Sequence, residues 1–337
     1  MDIFQGPFGW CGRSGGATMA PPMPAAASAS LDDVLKTQGL TGSEDPQVLC
    51  ASWAARRHEN FPVLSLAVPK AKRPAFAAIY AFCRAVDDLG DEAPGDRLAL
   101  LDAWEEDLLK VWTPGGPRHP IHRALVPVVR GLAIPDEPFR RLVRANRMDQ
   151  VKVRYATFEE LREYCLHSAD PVGRLVLHVF GYSDPERQRL SDATCTALQL
   201  ANFWQDITRD LKDRGRSYLP LEDLMRFGVS EADLASRPAP EAFRRLMAYE
   251  VSRARGLFTE GLALLDGLEG RPRWTIAAFS AGGLAVLDAI AGQGYDVLGR
   301  RPALSGARKA GLLLSVGARL ALGADPCPSA RRADSAA

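Results

Sequence analysis

The stretch Asn202-Phe-Trp-Gln-Asp-Ile-Thr-Arg-Asp210 decides how this chain folds. Asn202, Asp206 and Asp210 follow one another at four-residue steps, which places all three on one side of an α-helix. Leu198 stands one step earlier, so an apolar stripe leads into the polar one. Carboxylates four residues apart repel each other, and burying them unpaired is costly. The stretch therefore predicts a helix that needs a cation beside it.

The same arrangement occurs earlier, in Phe76-Ala-Ala-Ile-Tyr-Ala-Phe-Cys-Arg-Ala-Val-Asp-Asp-Leu-Gly-Asp91. Apolar residues at helical spacing lead into Asp87 and Asp91, and Arg84 lies four residues before Asp88. Two such helices could face each other across a cavity. Oxygen ligands of this kind suit Mg²⁺, which takes one or two carboxylates together with substrate phosphates. The alternative for each segment is a solvated run of charges at a helix end.

A basic loop follows the second acidic helix. Lys212, Arg214 and Arg216 surround Gly215, and the sequence continues Ser217-Tyr218-Leu219-Pro220. The forked donors of arginine suit the oxygens of a diphosphate, and the other arginines within reach in the sequence are Arg84 and Arg209. We therefore expect a small, locally bound polyanion.

Composition excludes several classes of protein. The 337 residues carry 42 basic and 41 acidic side chains, a net charge of +1, which argues against a nucleic-acid binder that works through a general basic surface. The six cysteines are scattered without a CxxC pair, so neither a zinc site nor a disulfide framework is indicated. We expect a cytoplasmic protein, with peripheral membrane contact left open.

Apolar residues recur at three- and four-residue spacing from residue 47 to about 322, and no strand pattern of period two stands out. This pattern predicts an all-α, single-domain helical bundle with a central cavity. Residues 1–46 and 323–337 are expected to be a disordered extension and a disordered tail. The predicted helices are 46–58, 73–91, 95–112, 119–131, 136–152, 158–168, 171–180, 184–212, 240–266, 273–292 and 305–321.

The segment Tyr164-Cys-Leu-His-Ser-Ala-Asp-Pro-Val-Gly173 combines small residues with Pro171, which should kink or restart a helix. Such a bend could face a cavity, although an ordinary helix–loop–helix junction explains the same letters. Nothing pairs Cys165 or Ser168 with a histidine as a nucleophile, so acyl-transfer chemistry is discounted.

These motifs together resemble those of the squalene/phytoene synthase family, the head-to-head branch of the isoprenoid synthases, over roughly residues 50–320. The resemblance implies an isoprenoid synthase fold, a prenyl diphosphate substrate and Mg²⁺ as cofactor. It assigns catalytic roles to Arg84, Tyr164 and Arg209. The implied metal ligands are Asp87, Asp91, Asn202, Asp206 and Asp210. The implied substrate-binding residues are Phe61, Tyr80, Arg84, Tyr164, Ala169, Val172, Phe203, Arg209, Arg214, Arg216 and Tyr218.

Within the family, His58-Glu-Asn-Phe-Pro-Val63, Asn202-Phe-Trp-Gln-Asp206 and Asp170-Pro-Val-Gly-Arg-Leu175 resemble a bacterial hopanoid-pathway subgroup assigned as hydroxysqualene synthase. This resemblance implies that presqualene diphosphate loses diphosphate and that water captures the cation. A condensing squalene or phytoene synthase is the first alternative. No nicotinamide fingerprint is present, which is weak evidence because an all-helical relative could bind NADPH without one.

Two more distant alternatives remain. A terpene cyclase normally has Asn, Ser/Thr and Glu at the positions of Asn202, Asp206 and Asp210. A non-catalytic scaffold of the same fold would tolerate the loss of a ligand, and none is missing. The resemblance also implies partners: an enzyme that makes presqualene diphosphate and an oxidoreductase that uses hydroxysqualene.

Overall fold

The computed structural model describes residues 29–38, 45–57 and 68–331 of the chain. No β-strand occurs within these ranges, and the predicted all-α class is confirmed. The α-helices, numbered in chain order, are α1 (Leu31–Thr37), α2 (Pro46–Arg57), α3 (Arg73–Asp91), α4 (Arg97–Leu109), α5 (Pro120–Leu132), α6 (Glu137–Val151), α7 (Phe158–Ser168), α8 (Asp170–Phe180), α9 (Pro185–Arg214), α10 (Leu221–Phe227), α11 (Glu241–Gly261), α12 (Gly270–Gly292) and α13 (Gly306–Ala321).

Most predicted helices agree with these bounds to within a few residues. The predicted helix 240–266 is the clearest difference, because α11 ends at Gly261 and a 3-10 helix, Leu262–Gly267, follows it. The sequence pattern missed α1 and α10, which have only seven residues each. Two turns of helix are too short for an apolar period to stand out.

Both predicted disordered ends need correction. Leu31–Thr37 lies in the predicted extension but is helical, because Ser30 and Asp33 form a capping box at its start. The predicted tail is wrong for residues 323–331. Cys327 is buried there, and Arg255 and Thr259 donate hydrogen bonds to the carbonyls of Ser329 and Ala330. Residues 1–28, 39–44 and 332–337 lie outside the described residues.

The core has two parts that meet at α8. One is centred on α3, which packs against α2, α4, α5 and α6, and the other on α9, which packs against α8, α11 and α12. Helix α8 contributes to both: Val172 and Leu175 belong to the first part, and Leu177 to the second. Acidic residues on α3 and α9 are thereby held in one structure by a shared packing helix.

Helix α9 is long because its ends are well specified. The Asp184 carboxylate accepts a hydrogen bond from the Arg187 amide at the first turn, and Pro185 occupies the first helical position. Gly215 ends the helix with a φ of 64°, in the left-handed region that glycine adopts without a Cβ penalty. The helix therefore continues for 30 residues between Asp184 and Gly215.

Close packing against α12 gives a testable requirement for glycine. A Cβ added at Gly283 would lie 2.4 Å from Phe258 Cζ and 2.8 Å from Leu198 Cδ2. Gly283→Ala is expected to lower the free energy of unfolding by about 1–3 kcal/mol, since overpacking forces neighbours to move. Gly292→Ala in the same helix meets nothing within 4 Å and is the matched control. Equal unfolding midpoints in urea for both variants would contradict this packing.

A buried cluster under α11 gives a pH-dependent stability. Arg253 donates hydrogen bonds to both Asp223 and Glu250, so two carboxylates share one cation. Burial, with the neighbouring Asp223 charge, raises the pKa of Glu250 to about 8. The folded protein therefore binds a proton more tightly than the unfolded chain does. Stability conferred by that proton is present below the unfolded pKa and is lost as the pH rises from about 4.5 to about 8.

Glu250→Gln is expected to remove this loss, because the amide carries no charge to bury. Between pH 5 and 8, wild-type stability should fall by up to about 1 kcal/mol per pH unit, and the variant should show a flatter profile. Glu241→Gln, at an exposed position of α11, is the control. Chemical denaturation across this pH range measures the difference. Parallel curves of unfolding free energy against pH for wild type and Glu250→Gln would show that Glu250 is not protonated in the folded protein.

One helix among the described residues, Gly270–Gly292, is long and apolar enough to cross a membrane. Its most apolar window is 72% buried inside the protein, as in the core helix of a globular fold.

Candidate active site

The predicted acidic residues lie near the ends of two helices. Asp87 and Asp91 occupy the last turn of α3, and Asn202, Asp206 and Asp210 occupy the second half of α9. Leu198 and Asp210 are buried, and Asn202 and Asp206 are half-buried, so the apolar stripe does continue into a polar one. The side chains thus belong to the protein interior and its edge rather than to a solvated helix face.

The turn after α9 directs two arginines towards α3. Because Gly215 reverses the chain, the Arg216 amide donates to the carbonyl of Asp210 at 3.1 Å. The segment that follows Gly215 is held in place because the Ser217 amide donates a hydrogen bond to the Val153 carbonyl at 3.0 Å. Arg214 and Arg216 consequently lie on either side of the reversal and both reach Asp91.

Arg214 bridges the two acidic helices. Its guanidinium nitrogens lie 3.2 Å from Asp91 Oδ2 on α3 and 3.4 Å from Asp210 Oδ1 on α9. A cation is therefore placed between the two motifs, as the like charges require. The structure thus brings two of the predicted residues, Asp91 and Asp210, to one arginine.

Arg216 holds a buried acidic pair. It lies 3.1 Å from Asp91 Oδ1 and 3.4 Å from Asp149 Oδ2, and it donates to the Asp149 carbonyl at 2.9 Å. Burial alone would raise the pKa of Asp91, but neighbouring positive charges, among them Arg214 and Arg216, outweigh it and lower the pKa. Burial, with the Asp91 charge, raises the pKa of Asp149. Arg216 thus stabilises the ionised carboxylate of Asp91, whereas the raised pKa of the neighbouring Asp149 favours its protonated form.

The two aspartates of α9 have different surroundings. Burial, with the nearby Asp206 charge, raises the pKa of Asp210 to about 7. Asp206 instead forms a two-point ion pair with Arg301, at 2.5 Å and 2.9 Å. The same arginine donates to Gln205 Oε1 at 3.1 Å, and Gln205 Nε2 donates to the Pro302 carbonyl at 2.6 Å. The loop before α13 is thereby tied to the second acidic motif.

Asp87 lies against α6. Its Oδ1 accepts a hydrogen bond from Asn146 Nδ2 at 3.3 Å, and Gln150 Nε2 donates to the Gly90 carbonyl at 2.9 Å. A Cβ at Gly90 would come within 2.1 Å of Asn146 Oδ1. Glycine at this position therefore allows α6 to bring its polar side chains up to the acidic end of α3.

An aromatic cluster, defined as Tyr155, Tyr164, Phe203 and Tyr218, lies beside Asp149. Phe203 and Tyr218 stack with ring centroids 3.8 Å apart, and the Tyr164 hydroxyl donates to Asp149 Oδ2 at 2.9 Å. Burial raises the pKa of Tyr164 and of Tyr218 well above the usual range. Both phenols are therefore neutral over the physiological range, and the Tyr164 hydroxyl acts as a hydrogen-bond donor to Asp149 rather than as a base.

The remaining predicted residues lie at several places. Arg84 is buried and pairs with Asp88 at 2.7 Å and with Glu92 at 3.0 Å. Arg209 lies 3.7 Å from Asp213. Tyr80, Ala169 and Val172 are buried, the last two at the α7–α8 junction, where Pro171 restarts the helix as predicted. Phe61 and the surrounding segment 58–67 lie outside the described residues.

Sequence reasoning missed Asn146, Asp149 and Arg301. The first two had a weak signal, since they stand at helical spacing with the buried Leu142 on α6. Arg301 had none, because its partner Asp206 is 95 residues away in the sequence.

The donor set fits Mg²⁺ that binds together with a diphosphate. Within the described residues, no group of three or more His, Cys, Asp or Glu is assembled to hold a metal by itself. Mg²⁺ commonly uses one or two carboxylates and completes its shell with water and phosphate. Asn202 Nδ2 is buried and has no hydrogen-bond partner among the described residues, so it can donate to a diphosphate oxygen, whereas a bond to the ion would come from Asn202 Oδ1. Asp87 and Asp91 would hold the ion from α3, and Asn202, Asp206 and Asp210 from α9.

An all-helical fold with paired acidic motifs and arginines between them defines the isoprenoid synthase class. The sequence profile of the family described as squalene/phytoene synthase matches residues 54–308. A phytoene synthase of Arthrospira platensis is 35% identical over 76% of this chain and 87% of its own. A 15-cis-phytoene synthase of Synechococcus elongatus is 32% identical over 84% of this chain and 92% of its own. The chain belongs to the squalene/phytoene synthase family, whose enzymes act on prenyl diphosphates.

Solved structures agree with this fold. The squalene synthase HpnC from Alicyclobacillus acidocaldarius is 50% identical, covers 74% of this chain and 95% of its own, and superposes with a TM-score of 0.72. A dehydrosqualene synthase is 26% identical, covers 86% of this chain and all of its own, and has a TM-score of 0.75. The predicted family and helical fold are therefore confirmed.

Proposed function

We propose that the protein converts presqualene diphosphate to hydroxysqualene and diphosphate, with Mg²⁺ as cofactor. The observation that carries the proposal is the paired acidic site, in which Arg214 spans Asp91 and Asp210. Carboxylates that bind a divalent ion and arginines that bind phosphate oxygens are the groups that departure of a diphosphate needs. Mg²⁺, when bound, would supply positive charge that stabilises the diphosphate as it leaves.

The choice of presqualene diphosphate rests on the residues between the acidic ones. Phe203, Trp204 and Gln205 resemble the hydroxysqualene subgroup, and the 50% identity to the squalene synthase HpnC supports a substrate on the squalene branch of the family. All three side chains are buried. Gln205 is fully engaged by Arg301 and Pro302, so we propose that it acts by fixing that loop over Asp206 rather than by touching the substrate.

The reaction breaks the bond between carbon and the diphosphate oxygen, and the bonding electrons leave with diphosphate. Arg84, Arg209, Arg214 and Arg216 would bind its oxygens. The resulting cyclopropylcarbinyl cation rearranges, and aromatic faces such as Tyr164 and Phe203 stabilise positive charge. Water then adds its oxygen to the cation and loses a proton, so no hydride donor is consumed.

An apolar cleft lies beside α9, and we propose that part of the hydrocarbon of such a substrate enters it. It is lined by residues of α8, α9 and α12, among them Val172, Cys195, Leu198 and Ile276. Leu198 belongs to the same stripe of α9 as Asn202 and Asp206. Hydrocarbon chains would therefore extend from the polar site along this helix.

A condensing enzyme is the second candidate. The cyanobacterial relatives at 35% and 32% identity are named phytoene synthases, and they align over most of their length. Such an enzyme would join two prenyl diphosphates head to head on the same acidic site. The two candidates differ in substrate and in what captures the cation.

A product assay distinguishes them. Purified protein with Mg²⁺ is given presqualene diphosphate or farnesyl diphosphate, each with and without NADPH, and the extracted lipids are identified by mass spectrometry. The proposal predicts hydroxysqualene from presqualene diphosphate, unchanged by NADPH. Turnover of farnesyl diphosphate without turnover of presqualene diphosphate would overturn it in favour of condensation.

A non-catalytic scaffold is tested by ligand-linked stability. An enzyme of this kind should melt at a higher temperature with Mg²⁺ and diphosphate together, because ligands that bind only the folded state stabilise it. No shift with the two ligands would favour a scaffold.

We further propose that the protein works in the cytoplasm beside an enzyme that makes presqualene diphosphate and an oxidoreductase that consumes hydroxysqualene. Substrate and product are both poorly soluble in water, so transfer between neighbouring enzymes would be favoured. Co-purification of the three activities from one membrane-associated fraction would support this arrangement.

A further inference from the structure

Helix α13 has an unusual outer face. A helix on the surface of a globular protein normally turns its apolar side to the core and a polar side to solvent. Here the core side is apolar: Val316 is 1% exposed, and Leu312 and Leu320 pack against the larger core cluster. The opposite side is apolar too. Its exposed apolar residues at helical spacing are Ala307, Ala310, Gly311, Leu314, Ala318, Ala321 and Leu322, and Ser315 is the one exposed polar, uncharged residue among them.

This outer face is well exposed. Leu314 and Leu322 are 75% and 82% exposed, and Leu322 is the most exposed large hydrophobic residue in the described part of the chain. Small residues surround them, so the two leucines project from a flat apolar strip. Single exposed leucines are ordinary, but a strip that follows the helical period along a whole helix indicates a contact surface.

The charge around α13 identifies the partner. Residues 297–324 contain five basic side chains and no acidic one, although the whole chain has a net charge of only +1. Arg308 is exposed in the first turn of the helix, Arg300 is exposed in the segment before it, and Arg319 lies at the edge of the apolar strip. An apolar face flanked by basic residues is the pattern of a helix that lies in the interface of an anionic lipid bilayer.

We propose that α13 docks the protein on an anionic membrane surface, with Leu314 and Leu322 inserted between lipid headgroups. The helix would lie parallel to the membrane, since its inner face stays packed on α12, where a Cβ at Gly317 would lie 3.5 Å from Trp274 Nε1. The inference rests on the surface of α13 and is independent of the proposed reaction.

Docking here also has a consequence for the site. The segment that leads into α13 contains Arg301, which pairs with Asp206, and Pro302, whose carbonyl accepts from Gln205. Only four residues separate Arg301 from Gly306, the first residue of α13. A membrane bound at α13 would therefore lie close in the chain to the segment that covers the second acidic motif.

Vesicle flotation tests the proposal. The full-length protein is mixed with vesicles of phosphatidylcholine alone or of phosphatidylcholine with phosphatidylglycerol, at low and at high salt. We expect flotation with the anionic vesicles at low salt and a weaker response at high salt, because salt screens the attraction. Absence of flotation with anionic vesicles at low salt would overturn the proposal.

Matched variants locate the surface. Leu314→Glu with Leu322→Glu is expected to weaken vesicle binding more than about tenfold, and Arg308→Gln about fivefold. Met225→Glu, at a side chain that is 76% exposed on α10, and Arg245→Gln, exposed on α11, are the controls and should bind as the wild type does. Equal losses in the controls would contradict docking through α13.

Folding and self-association are measured in parallel. The leucine variants alter only exposed side chains, so they should melt with the wild type and keep its turnover of prenyl diphosphate in detergent. If analytical ultracentrifugation instead showed a wild-type dimer that Leu314→Glu dissociates, without any vesicle binding, the strip would cover a second copy and the lipid proposal would be wrong.

Discussion

Replacing Asp206 by alanine is expected to reduce turnover of the prenyl diphosphate by about a thousandfold or more. The carboxylate lies one helical turn from Asp210 on the polar side of α9, where the Mg²⁺ proposed above would be held. Loss of one ligand weakens both metal binding and the stabilisation of the leaving diphosphate. The melting-temperature increase produced by Mg²⁺ and diphosphate should disappear in the same variant.

Two further variants show whether Asp206 acts as a ligand. Asp213→Asn removes an exposed carboxylate from the same helix and should leave turnover within about twofold of wild type, as surface substitutions usually do. Arg301→Gln removes the partner of Asp206 while keeping the carboxylate. If Arg301→Gln and Asp206→Ala lost activity equally and both kept the ligand-induced stabilisation, Asp206 would serve only to hold the loop. Full activity in Asp206→Ala would refute the metal assignment.

Arg216→Met is expected to lower the free energy of unfolding by about 3–5 kcal/mol, the usual cost of leaving a buried carboxylate, here that of Asp149, without its cationic partner. Arg216 side-chain nitrogens contact Asp91 and Asp149, which are both buried or nearly so. Lys212→Met changes an exposed cation three residues before the reversal at Gly215 and should cost less than about 0.5 kcal/mol. Urea denaturation at neutral pH compares the two.

The difference in the free energy of unfolding between the wild type and Arg216→Met should depend on pH in a defined direction. In the wild type the pKa of Asp91 is lowered, so its contribution to stability is present above the unfolded pKa and is lost as the pH falls. Without Arg216, Asp149 loses its arginine and Asp91 keeps only Arg214, so the pKa values of both carboxyls rise. The variant should therefore come closer to wild-type stability in mild acid. A deficit that grows as the pH falls would contradict the buried acidic pair.

The fold followed from the sequence wherever a helix was long enough for its apolar period to repeat. Helix α9 is predicted as 184–212 and found as Pro185–Arg214, whereas the seven-residue α1 and α10 were invisible. The ordered segment 323–331 was missed for another reason. It is short and has no helical apolar pattern. It is fixed by hydrogen bonds from Arg255 and Thr259 on α11, and such contacts between distant residues leave no local sequence pattern.

The residues of the candidate site likewise fall into those that a local sequence pattern identifies and those that it does not. Acidic residues spaced by four on one helix are a local signal, so Asp87, Asp91, Asn202, Asp206 and Asp210 could be named from the sequence. Basic residues after Gly215 were also visible, and the structure places Arg214 and Arg216 on Asp91.

Residues that enter the site from other elements could not be found in this way. Asp149 reaches it because Gly90 lets α6 approach α3, and Arg301 reaches it through the loop before α13. Their roles depend on distances between elements, which the sequence does not carry by itself.

The central claim is that water, and not a second prenyl diphosphate or a hydride, completes the reaction on the acidic site. The most direct measurement is a single-turnover reaction of the purified protein with presqualene diphosphate and Mg²⁺ in isotopically labelled water, without NADPH. The account predicts hydroxysqualene that carries one labelled oxygen, with one diphosphate released for each product. Presqualene diphosphate recovered unchanged, while farnesyl or geranylgeranyl diphosphate is condensed under the same conditions, would contradict it.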